Sequence, residues 1–357
     1  MMMENWVALI TDQHFGARNF SQDFHNFFMK FYDDVFFPTI KERNIKHIID
    51  LGDTFDKRKQ IDFNILSQVK LGYYDKIQDM GISILTLVGN HTAYYKNTNN
   101  INTPSLLLSE YKNVTVIDTP SIHTLYGHDL LMLPWLNREN DDIAFDLLNE
   151  HYRYGFGHLE INGFEMYEGI LCMDSHYDVY QFSNVEQLFS GHFHHRSSRG
   201  NLQYLGNPYE ITWHDYNDLR GFHLLELNSG KVEFIKNPFK MFHKIFYDFE
   251  SPECQAQFND LDMFSGTHVK LVVRNRGLRE NFESDIEKLF SVNPLSVVLI
   301  DDIVNDGMVV TDVDDTVDIC RQNVEQYAKL HHLKFPEEIE YKLLSLLERA
   351  ELERDDV

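Results

Sequence analysis

Five apolar runs in the first 200 residues each end in a short polar segment that carries aspartate, asparagine or histidine. The segments are residues 12–14 after WVALIT, 52–53 after HIIDL, 89–91 after ISILTLV, 157–158 after RYGF and 191–194 after EQLFS. Apolar runs of this length are typical of buried strands. Polar side chains at strand ends of an α/β sheet gather at one edge, where ligand sites form. The pattern therefore predicts an α/β fold in which five strand ends build one site.

Helical patterns over residues 21–43 and 61–80 separate the early runs, and this alternation of strand and helix predicts an α/β sheet. Past residue 110 the apolar runs follow one another more closely, which predicts a second, more antiparallel sheet. The expected divisions are a first domain, 1–240, a small α/β unit, 241–303, an acidic linker, 304–316, and a helical pair, 317–357. Two short amphipathic helices have little core of their own, so we expect them to dock on a partner or on this chain.

The composition is that of a folded globular protein, with 43% hydrophobic and 25% charged residues, which excludes collagen-like and wholly disordered classes. The formal net charge of −24 weighs against non-specific attraction to nucleic acid but permits a local basic or metal-mediated phosphate site. No apolar run approaches the roughly 20 residues that span a bilayer. Three well-separated cysteines are typical of a reducing compartment. We therefore expect a cytoplasmic protein with no membrane segment.

The side chains at the five strand ends form a set of metal donors. They are two carboxylates, one carboxamide and five imidazoles, from Asp12, His14, Asp53, Asn90, His91, His158, His192 and His194. Side chains two residues apart on an extended backbone project to the same side, which pairs Asp12 with His14 and His192 with His194. Oxygen and nitrogen donors without thiolate suit Mn²⁺, Fe²⁺ or Zn²⁺. The set exceeds the needs of one four-coordinate ion, so it predicts two metals sharing a bridging carboxylate, for which Asp53 is the natural choice.

The five motifs differ in how specific they are when taken alone. A single Asp-x-His or Gly-Asp occurs more often in a turn than at a metal, whereas Gly-Asn-His and Gly-His-x-His are more specific. Five of them, all after apolar runs, make coincidence improbable.

The order Asp-x-His, Gly-Asp-x-x-Asp, Gly-Asn-His, Gly-His, Gly-His-x-His resembles the signature of calcineurin-like metallophosphoesterases. Within that superfamily, residues 52–58, 157–164, 191–194 and 204–208 are similar to the SbcD-type nuclease subunits of DNA double-strand-break repair, and to the bacteriophage recombination endonuclease subunits among them. The resemblance covers residues 1–240. It implies a four-layer αββα sandwich with a small α/β capping domain at 241–303 and ATPase-binding helices at 317–357.

The resemblance also implies a role for each donor. One metal would be held by Asp12, His14, Asp53 and His194. The other would be held by Asp53, Asn90, His158 and His192. Two Mn²⁺ are implied, with Mg²⁺ able to replace them. His91 would then be the catalytic residue that protonates the leaving oxygen or stabilises transition-state charge, since imidazole both accepts and donates protons near neutral pH; a structural role is its alternative.

One position departs from the family pattern. The family usually follows Asn-His with an aspartate that orients the catalytic imidazole, and here that residue is Thr92. The Thr92 hydroxyl could accept a hydrogen bond from His91, or the carboxylate of Asp56 could take over. His195, beside a ligand, is a third candidate supporting residue.

Basic residues near the motifs are candidate DNA contacts. They are Arg18, Lys57, Arg58, Lys59, Arg196 and Arg199. Such groups could hold phosphates beside the cut, and a solvated charged turn is the equally weighted alternative. Tyr94 and Tyr95 could stack on DNA, although loop packing is the more common role for such residues.

The function implied is a two-metal DNA nuclease, exonucleolytic on duplex DNA and endonucleolytic on single strands. It would act as a homodimer with an SMC-like ATPase in recombination, repair or replication, near the nucleoid or in a host-cell cytoplasm. Two alternatives remain open. One is a phosphatase or small-molecule phosphodiesterase of the same superfamily, and the other is a weakly active scaffold for DNA and the ATPase, motivated by Thr92.

Overall fold

The structure, a computed structural model, describes residues 5–167, 170–258 and 260–301. The chain divides into two compact units, with the boundary between Lys240 and Met241. The expected linker at 304–316 and helical pair at 317–357 lie outside the described residues.

The first unit contains two six-stranded sheets. The first sheet has the spatial order β16 (Lys231–Lys236), β15 (Gly221–Glu226), β1 (Trp6–Ile10), β2 (His47–Asp50), β3 (Ser83–Leu87), β6 (Val114–Ile117). In this sheet β1, β2, β3 and β6 run parallel, while β15 is antiparallel to both β1 and β16. The carboxyl ends of the parallel strands therefore meet at one edge.

The second sheet has the order β13 (Ser197–Arg199), β14 (Leu202–Tyr204), β12 (Val185–Gly191), β9 (Tyr152–His158), β8 (His128–Leu133), β7 (Ser121–Leu125). Its four central strands are parallel, and only the edge pairs β13–β14 and β7–β8 are antiparallel. The expectation of a mainly antiparallel sheet is thus wrong. Long crossover segments join β8 to β9 and β9 to β12, and a crossover is what parallel pairing requires.

The helices cover the outer faces of the sheets. In the first unit they are α1 (Ala17–Phe20), α2 (Gln22–Phe31), α3 (Phe37–Glu42), α4 (Phe63–Val69), α5 (Asp75–Asp79), α6 (Thr103–Leu107) and α7 (Asp141–Leu147). Single π-helical turns join α2 to α3 and α4 to α5, so the two long helices predicted from the sequence are confirmed. Each begins at a polar cap: the Ser21 hydroxyl accepts from Phe24 N, and Asp62 Oδ1 accepts from Ile65 N at 2.9 Å.

Three apolar layers hold the first unit together. Between the sheets lie alternate residues of facing strands, including Val7, Leu9, Ile49, Met132, Phe156 and Leu225. The outer face of the second sheet packs against α7 through residues such as Leu131, Ala144 and Leu188. On the outer face of the first sheet, Phe31 and Phe36 contact Phe222 of β15. Each large buried side chain contributes about 1.5–3 kcal/mol to stability. The αββα sandwich predicted from the sequence is confirmed.

Two hairpins project from the first unit. They are β4 (Ala93–Tyr95) with β5 (Thr98–Asn102), and β10 (Glu165–Tyr167) with β11 (Ile170–Leu171).

The second unit is a small α/β fold. Its parallel sheet has the order β17 (Phe242–Asp248), β18 (His268–Asn275), β19 (Ser296–Asp301), connected through α8 (Pro252–Gln257) and α9 (Arg279–Ser291). Its core contains Ile245, Tyr247, Val269, Leu271 and Leu289. Within the described residues of either unit, no helix has both the length and the apolar character that a bilayer span requires.

Candidate metal centre

Seven predicted donors come together where five strands end. Asp12 and His14 follow β1, Asp53 follows β2, and Asn90 follows β3. His158 ends β9 of the second sheet, and His192 and His194 follow β12. The two sheets thus contribute parallel strand ends to one pocket, as the apolar runs predict.

The first group of donors contains Asp12, His14 and His194. Their ligand atoms all lie within 4.8 Å of one another. His14 Nε2 is 3.1 Å from His194 Nε2 and 4.0 Å from Asp12 Oδ1. Two ring nitrogens that face each other at this distance can share at most one proton, so their lone pairs suit a cation between them.

The second group centres on His158. Its Nε2 lies 3.1 Å from Asp53 Oδ2 and 2.9 Å from Asn90 Oδ1. The same amide oxygen is 2.9 Å from His192 Nδ1. The ligand atoms of Asp53, His158 and His192 lie within 4.8 Å of one another.

The backbone at these donors is held in a sparsely populated conformation. Four donors have positive φ: Asp12 (50°), His14 (43°), Asp53 (51°) and His192 (87°). Such conformations cost about 1–3 kcal/mol each and persist only where the surroundings fix them. Here Asp12 N donates to Gly52 O and His14 N donates to Asp53 O, both at 2.9 Å. The strain is concentrated at the strand ends, as is common at functional sites.

Gly52 lets the two sheets approach at the site. Its φ is 109°, and a Cβ at this position would lie 2.6 Å from Nδ1 of His158. A larger residue here would push His158 out of the donor group, which explains why glycine precedes Asp53.

The charges around His14 keep it protonated in the metal-free protein. Burial alone lowers the pKa of His14. The hydrogen bond to Asp56 and the charges of Asp56, Asp53 and Asp12 outweigh burial and raise that pKa to about 9. The raised pKa favours a proton on His14 at neutral pH, and a cation would have to displace that proton.

Asp53 and His158 form the second strongly coupled pair. Burial lowers the pKa of His158, but the charge and hydrogen bond of Asp53 raise it to about 9. Burial raises the pKa of Asp53, and the charges of His158 and His91 more than reverse this, so it stays well below its usual value. Burial and the charge of His14 hold the pKa of His194 well below that of free imidazole. The donors therefore fit divalent cations, which would replace the protons on His14 and His158.

His91 lies at the same pocket but its side chain is held differently. His91 N donates to Asp53 Oδ1 at 2.8 Å, and its Nδ1 lies 2.8 Å from the main-chain oxygen of Asp56. The ring meets that of His14 edge-on, with centroids 4.9 Å apart. Because Nδ1 donates to a carbonyl, Nε2 is the nitrogen available for a substrate.

Neither the Thr92 hydroxyl nor the Asp56 carboxylate makes the hydrogen bond to His91 that the sequence suggests. Thr92 is fully buried, and its hydroxyl accepts from Gly89 N at 2.8 Å and donates to Gly89 O at 3.0 Å, so it fixes its own turn and not His91. The Asp56 carboxylate pairs with His14 Nδ1 at 3.2 Å and lies within 4.8 Å of a His91 ring nitrogen, but the hydrogen bond of His91 Nδ1 is to the Asp56 carbonyl. A main-chain oxygen takes the place of the usual aspartate, which motif reading could not reveal.

His195 is turned away from the donor groups. Its Nδ1 lies 2.8 Å from Asp218 Oδ2, and its Nε2 lies 3.3 Å from Glu165 Oε2. It links β10 to the loop before β15, a bracing role near the ligand His194.

Three of the candidate DNA contacts surround the donor loops. Arg58 Nε donates to the main-chain oxygen of Asn90 at 2.6 Å, so this guanidinium also braces a donor loop. Lys57 Nζ lies 3.4 Å from Asn19 Oδ1, and the exposed Arg18 belongs to the same left-handed turn.

The other three candidates are spread more widely. Lys59 is exposed on the loop after β2. Arg196 packs its guanidinium 3.7 Å from the centroid of the Phe234 ring, and burial lowers its pKa. Arg199 lies on edge strand β13 beside Gly163. Arg196 thus serves packing as much as charge.

The sequence motifs did not predict a role for Glu160. Its Oε2 lies 3.2 Å from Nε2 of His192, whose other nitrogen faces Asn90. A carboxylate there fixes the ring so that Nδ1 presents its lone pair to the donor group. Glu160 follows His158 by two residues on an extended segment, and this spacing was the available signal.

A buried network behind Asp12 and His14 was also missed. Gln13 donates through Nε2 to Asp50 Oδ2 at 3.0 Å, accepts from the Tyr32 hydroxyl at 2.5 Å, and its carbonyl accepts from the Tyr209 hydroxyl at 2.6 Å. Burial raises the pKa of Asp50 to about 7. These contacts join residues far apart in sequence, so no local pattern reports them.

Comparison with known proteins agrees with the geometry. A family model described as calcineurin-like phosphoesterase matches residues 6–196. Exonuclease subunit 1 of Enterobacteria phage T4 is 33% identical over 262 residues, which covers 72% of this chain and 74% of that protein.

Solved structures give looser matches. An archaeal phosphodiesterase covers 65% of this chain and 99% of its own, with 9% identity and a TM-score of 0.33. A dimetal phosphatase from Danio rerio covers 63% and 93%, with 11% identity and a TM-score of 0.36. The nuclease MPE of Pseudomonas putida covers 63% and 86%, with 16% identity and a TM-score of 0.30. These TM-scores are too low to support a conclusion about this chain.

The family resemblance inferred from the motifs is therefore confirmed by the sequence matches. The chain belongs to the calcineurin-like phosphoesterase family and is a metal-dependent phosphoesterase that binds divalent cations.

Proposed function

We propose that this chain is the nuclease subunit of a DNA-processing complex, cleaving phosphodiester bonds with two divalent cations. The main support is that the ligand atoms come together in two groups, which are Asp12, His14 and His194, and Asp53, His158 and His192. Its similarity to a phage exonuclease subunit supports DNA as the substrate. Mn²⁺ is the proposed metal, and Mg²⁺ would serve in its place.

The residues of the pocket are sufficient for two cations. We assign Asp12, His14, Asp53 and His194 to one cation, and Asp53, Asn90, His158 and His192 to the other, with Asp53 shared. Cations held there would neutralise phosphate charge and lower the pKa of a bound water to near 7.

His91 is the proposed proton donor. The Asp56 carbonyl holds Nδ1, so a protonated Nε2 can donate to the 3′ oxygen that leaves the phosphorus. Arg58 keeps the Asn90 loop in place through its main-chain oxygen. The absence of an aspartate at Thr92 therefore does not leave His91 Nδ1 without a partner, and this contact supports an active nuclease over a weakly active scaffold.

The remaining segments complete the proposal. Residues 241–303 would cap the DNA end, residues 304–316 would act as a tether, and residues 317–357 would bind an SMC-like ATPase. The complex would work in recombination, repair or replication, near the nucleoid or in the cytoplasm of a host cell. The phage T4 relative is one subunit of an exonuclease, which supports the presence of a partner subunit.

A homodimer is part of the proposal. The helices α4 and α5 border a groove lined by Phe63 and Leu71, which are 82% and 65% exposed. Because both side chains line one groove, we choose this face as the candidate interface between two copies. If this face joins two copies, Phe63→Glu should be a monomer by light scattering. A variant that keeps the mass of the parent dimer would exclude this face as the dimer interface.

A nuclease assay tests the proposal. Labelled duplex and single-stranded DNA would be incubated with the protein and Mn²⁺, Mg²⁺ or chelator, with and without the ATPase. We expect metal-dependent cleavage of both substrates. Turnover of p-nitrophenyl phosphate that rivals DNA cleavage would indicate a phosphatase instead.

A further inference from the structure

The hairpin of β4 and β5 presents two tyrosine rings to solvent beside the metal centre. Tyr94 is 38% exposed and Tyr95 is 50% exposed. Their ring centroids lie 4.7 Å apart, with the planes at 79°. The two rings pack edge to face on each other, and each residue still exposes a third or more of its surface. Part of each tyrosine is therefore open for contact.

The hairpin is firmly attached to the first unit. Asn99, which is 5% exposed, donates to the carbonyls of Asp118 and Trp135 at 3.0 and 2.9 Å. Asn102, 1% exposed, donates to Asn99 O and accepts from Ser105 N at 2.8 Å. The tyrosines therefore sit on a fixed support, so binding would require little ordering of the protein.

The hairpin is also continuous with the loop that carries His91. Ala93 N donates to Gly89 O at 3.1 Å, and Thr103 N donates to Thr92 O at 2.9 Å. Three residues of chain reach at most about 11 Å, so Tyr94 lies close to His91. Stacked DNA covers that distance in about three nucleotides, at roughly 3.4 Å per step along a strand.

Cationic side chains flank the tyrosines. Lys59 Nζ lies 5.9 Å from the centroid of the Tyr94 ring, and Lys57 and Arg58 precede it. Lys96 is exposed at the turn of the hairpin. In a chain with a net charge of −24, a lysine beside an exposed tyrosine suits contact with a polyanion.

We propose that Tyr94 and Tyr95 form a stacking site for unpaired nucleobases of the strand that enters the metal centre. Aromatic rings beside cations bind single-stranded DNA, because every base offers a face for stacking while phosphates meet the cations. Paired bases in a duplex keep their faces covered, so the site favours single strands and frayed ends. The inference rests on the proposed nuclease function and adds the form of DNA that it selects.

Binding of a labelled single-stranded oligonucleotide in chelator tests the site without cleavage. The double variant Tyr94→Ala/Tyr95→Ala is expected to lose at least about tenfold in affinity, whereas Tyr94→Phe/Tyr95→Phe keeps the rings and stays within about twofold. Tyr126→Ala removes a tyrosine that is 41% exposed at the β7–β8 turn and is the matched control, expected to bind like the parent. Thermal melting reports whether each variant is folded.

A second measurement uses 2-aminopurine in the oligonucleotide, whose fluorescence reports stacking. The parent and the Phe pair should change its fluorescence, and the Ala pair should not. Unchanged affinity of the Ala pair, equal loss in Tyr126→Ala, or no fluorescence change with the parent would overturn the site. If the parent binds in this way but cleaves no DNA, the stacking site stands and the proposed nuclease function fails.

Discussion

At the scale of single residues, His14 and His158 determine how the metal centre responds to pH. Buried carboxylates surround both rings and raise both pKa values to about 9. A histidine must be neutral to bind a metal, so each of these rings has to release a proton before it binds a cation. Protons and metal therefore compete for the same nitrogens.

Metal affinity should consequently rise steeply with pH. Between pH 6.5 and about 9, each proton displaced contributes about tenfold per pH unit, so two give up to about 100-fold per unit. Calorimetric titration of metal-free protein with Mn²⁺ at several pH values, in buffers of different ionisation enthalpy, measures both affinity and proton release. A flat affinity across this range would contradict the assignment.

The same shifts affect the stability of the metal-free protein. Each folded-state pKa lies above the unfolded value of 6.5, so each histidine stabilises the fold fully below pH 6.5. That contribution disappears as pH rises through about 9. Chelated protein should melt at a lower temperature at pH 9 than at pH 6.5.

Glu160 offers a second test at this scale. Removing its carboxylate in Glu160→Ala leaves Nε2 of His192 without this acceptor, and losses of this kind lower metal affinity roughly 10–100-fold. Glu160→Gln keeps an acceptor oxygen and should lose less. Glu186 also pairs with a histidine, His151, at 3.4 Å on the surface, so Glu186→Ala is the matched control. Equal metal affinity of Glu160→Ala and the control would remove Glu160 from the site.

At the scale of elements, the turn after β3 shows how backbone contacts replace a missing side chain. Thr92 closes the turn on Gly89, and His91 is held by the Asp56 carbonyl. Restoring the aspartate usual in the family would therefore bury a carboxylate where a hydroxyl now donates and accepts.

Thr92→Asp should accordingly lower stability and should not raise cleavage. Removing a buried hydrogen-bonding group costs about 1–3 kcal/mol, and a buried carboxylate adds a desolvation penalty. Thr92→Ser keeps the hydroxyl and is the control. Thermal melting and DNA cleavage by the three proteins provide the measurement, and faster cleavage by Thr92→Asp would show that the turn lacks a needed carboxylate.

The elements also show what a sequence can predict. Strand ends such as residues 89–91 could be predicted from the sequence because apolar runs and glycines are local signals. The parallel order of the second sheet could not, because it depends on long crossovers with no periodic pattern. Nor could the contacts of Gln13 or of the Asp56 carbonyl, since they join residues that are far apart in the sequence and no local pattern marks them.

At the scale of the whole molecule, we propose that residues 317–357 bind the ATPase while the first unit cleaves DNA. Deleting residues 317–357 is expected to abolish co-purification with the ATPase while leaving metal-dependent cleavage by the nuclease unit measurable. Unchanged co-purification would place the ATPase contact elsewhere in the chain.

We propose that the strand ends of the two sheets hold a pair of cations that share Asp53. Equilibrium dialysis of metal-free protein against Mn²⁺, followed by metal analysis, measures it directly. The parent and His91→Ser should each bind two Mn²⁺ per chain, since His91 is assigned no metal, and Asp53→Ala should lose binding at both sites. One ion or none in the parent, or two retained by Asp53→Ala, would contradict the claim.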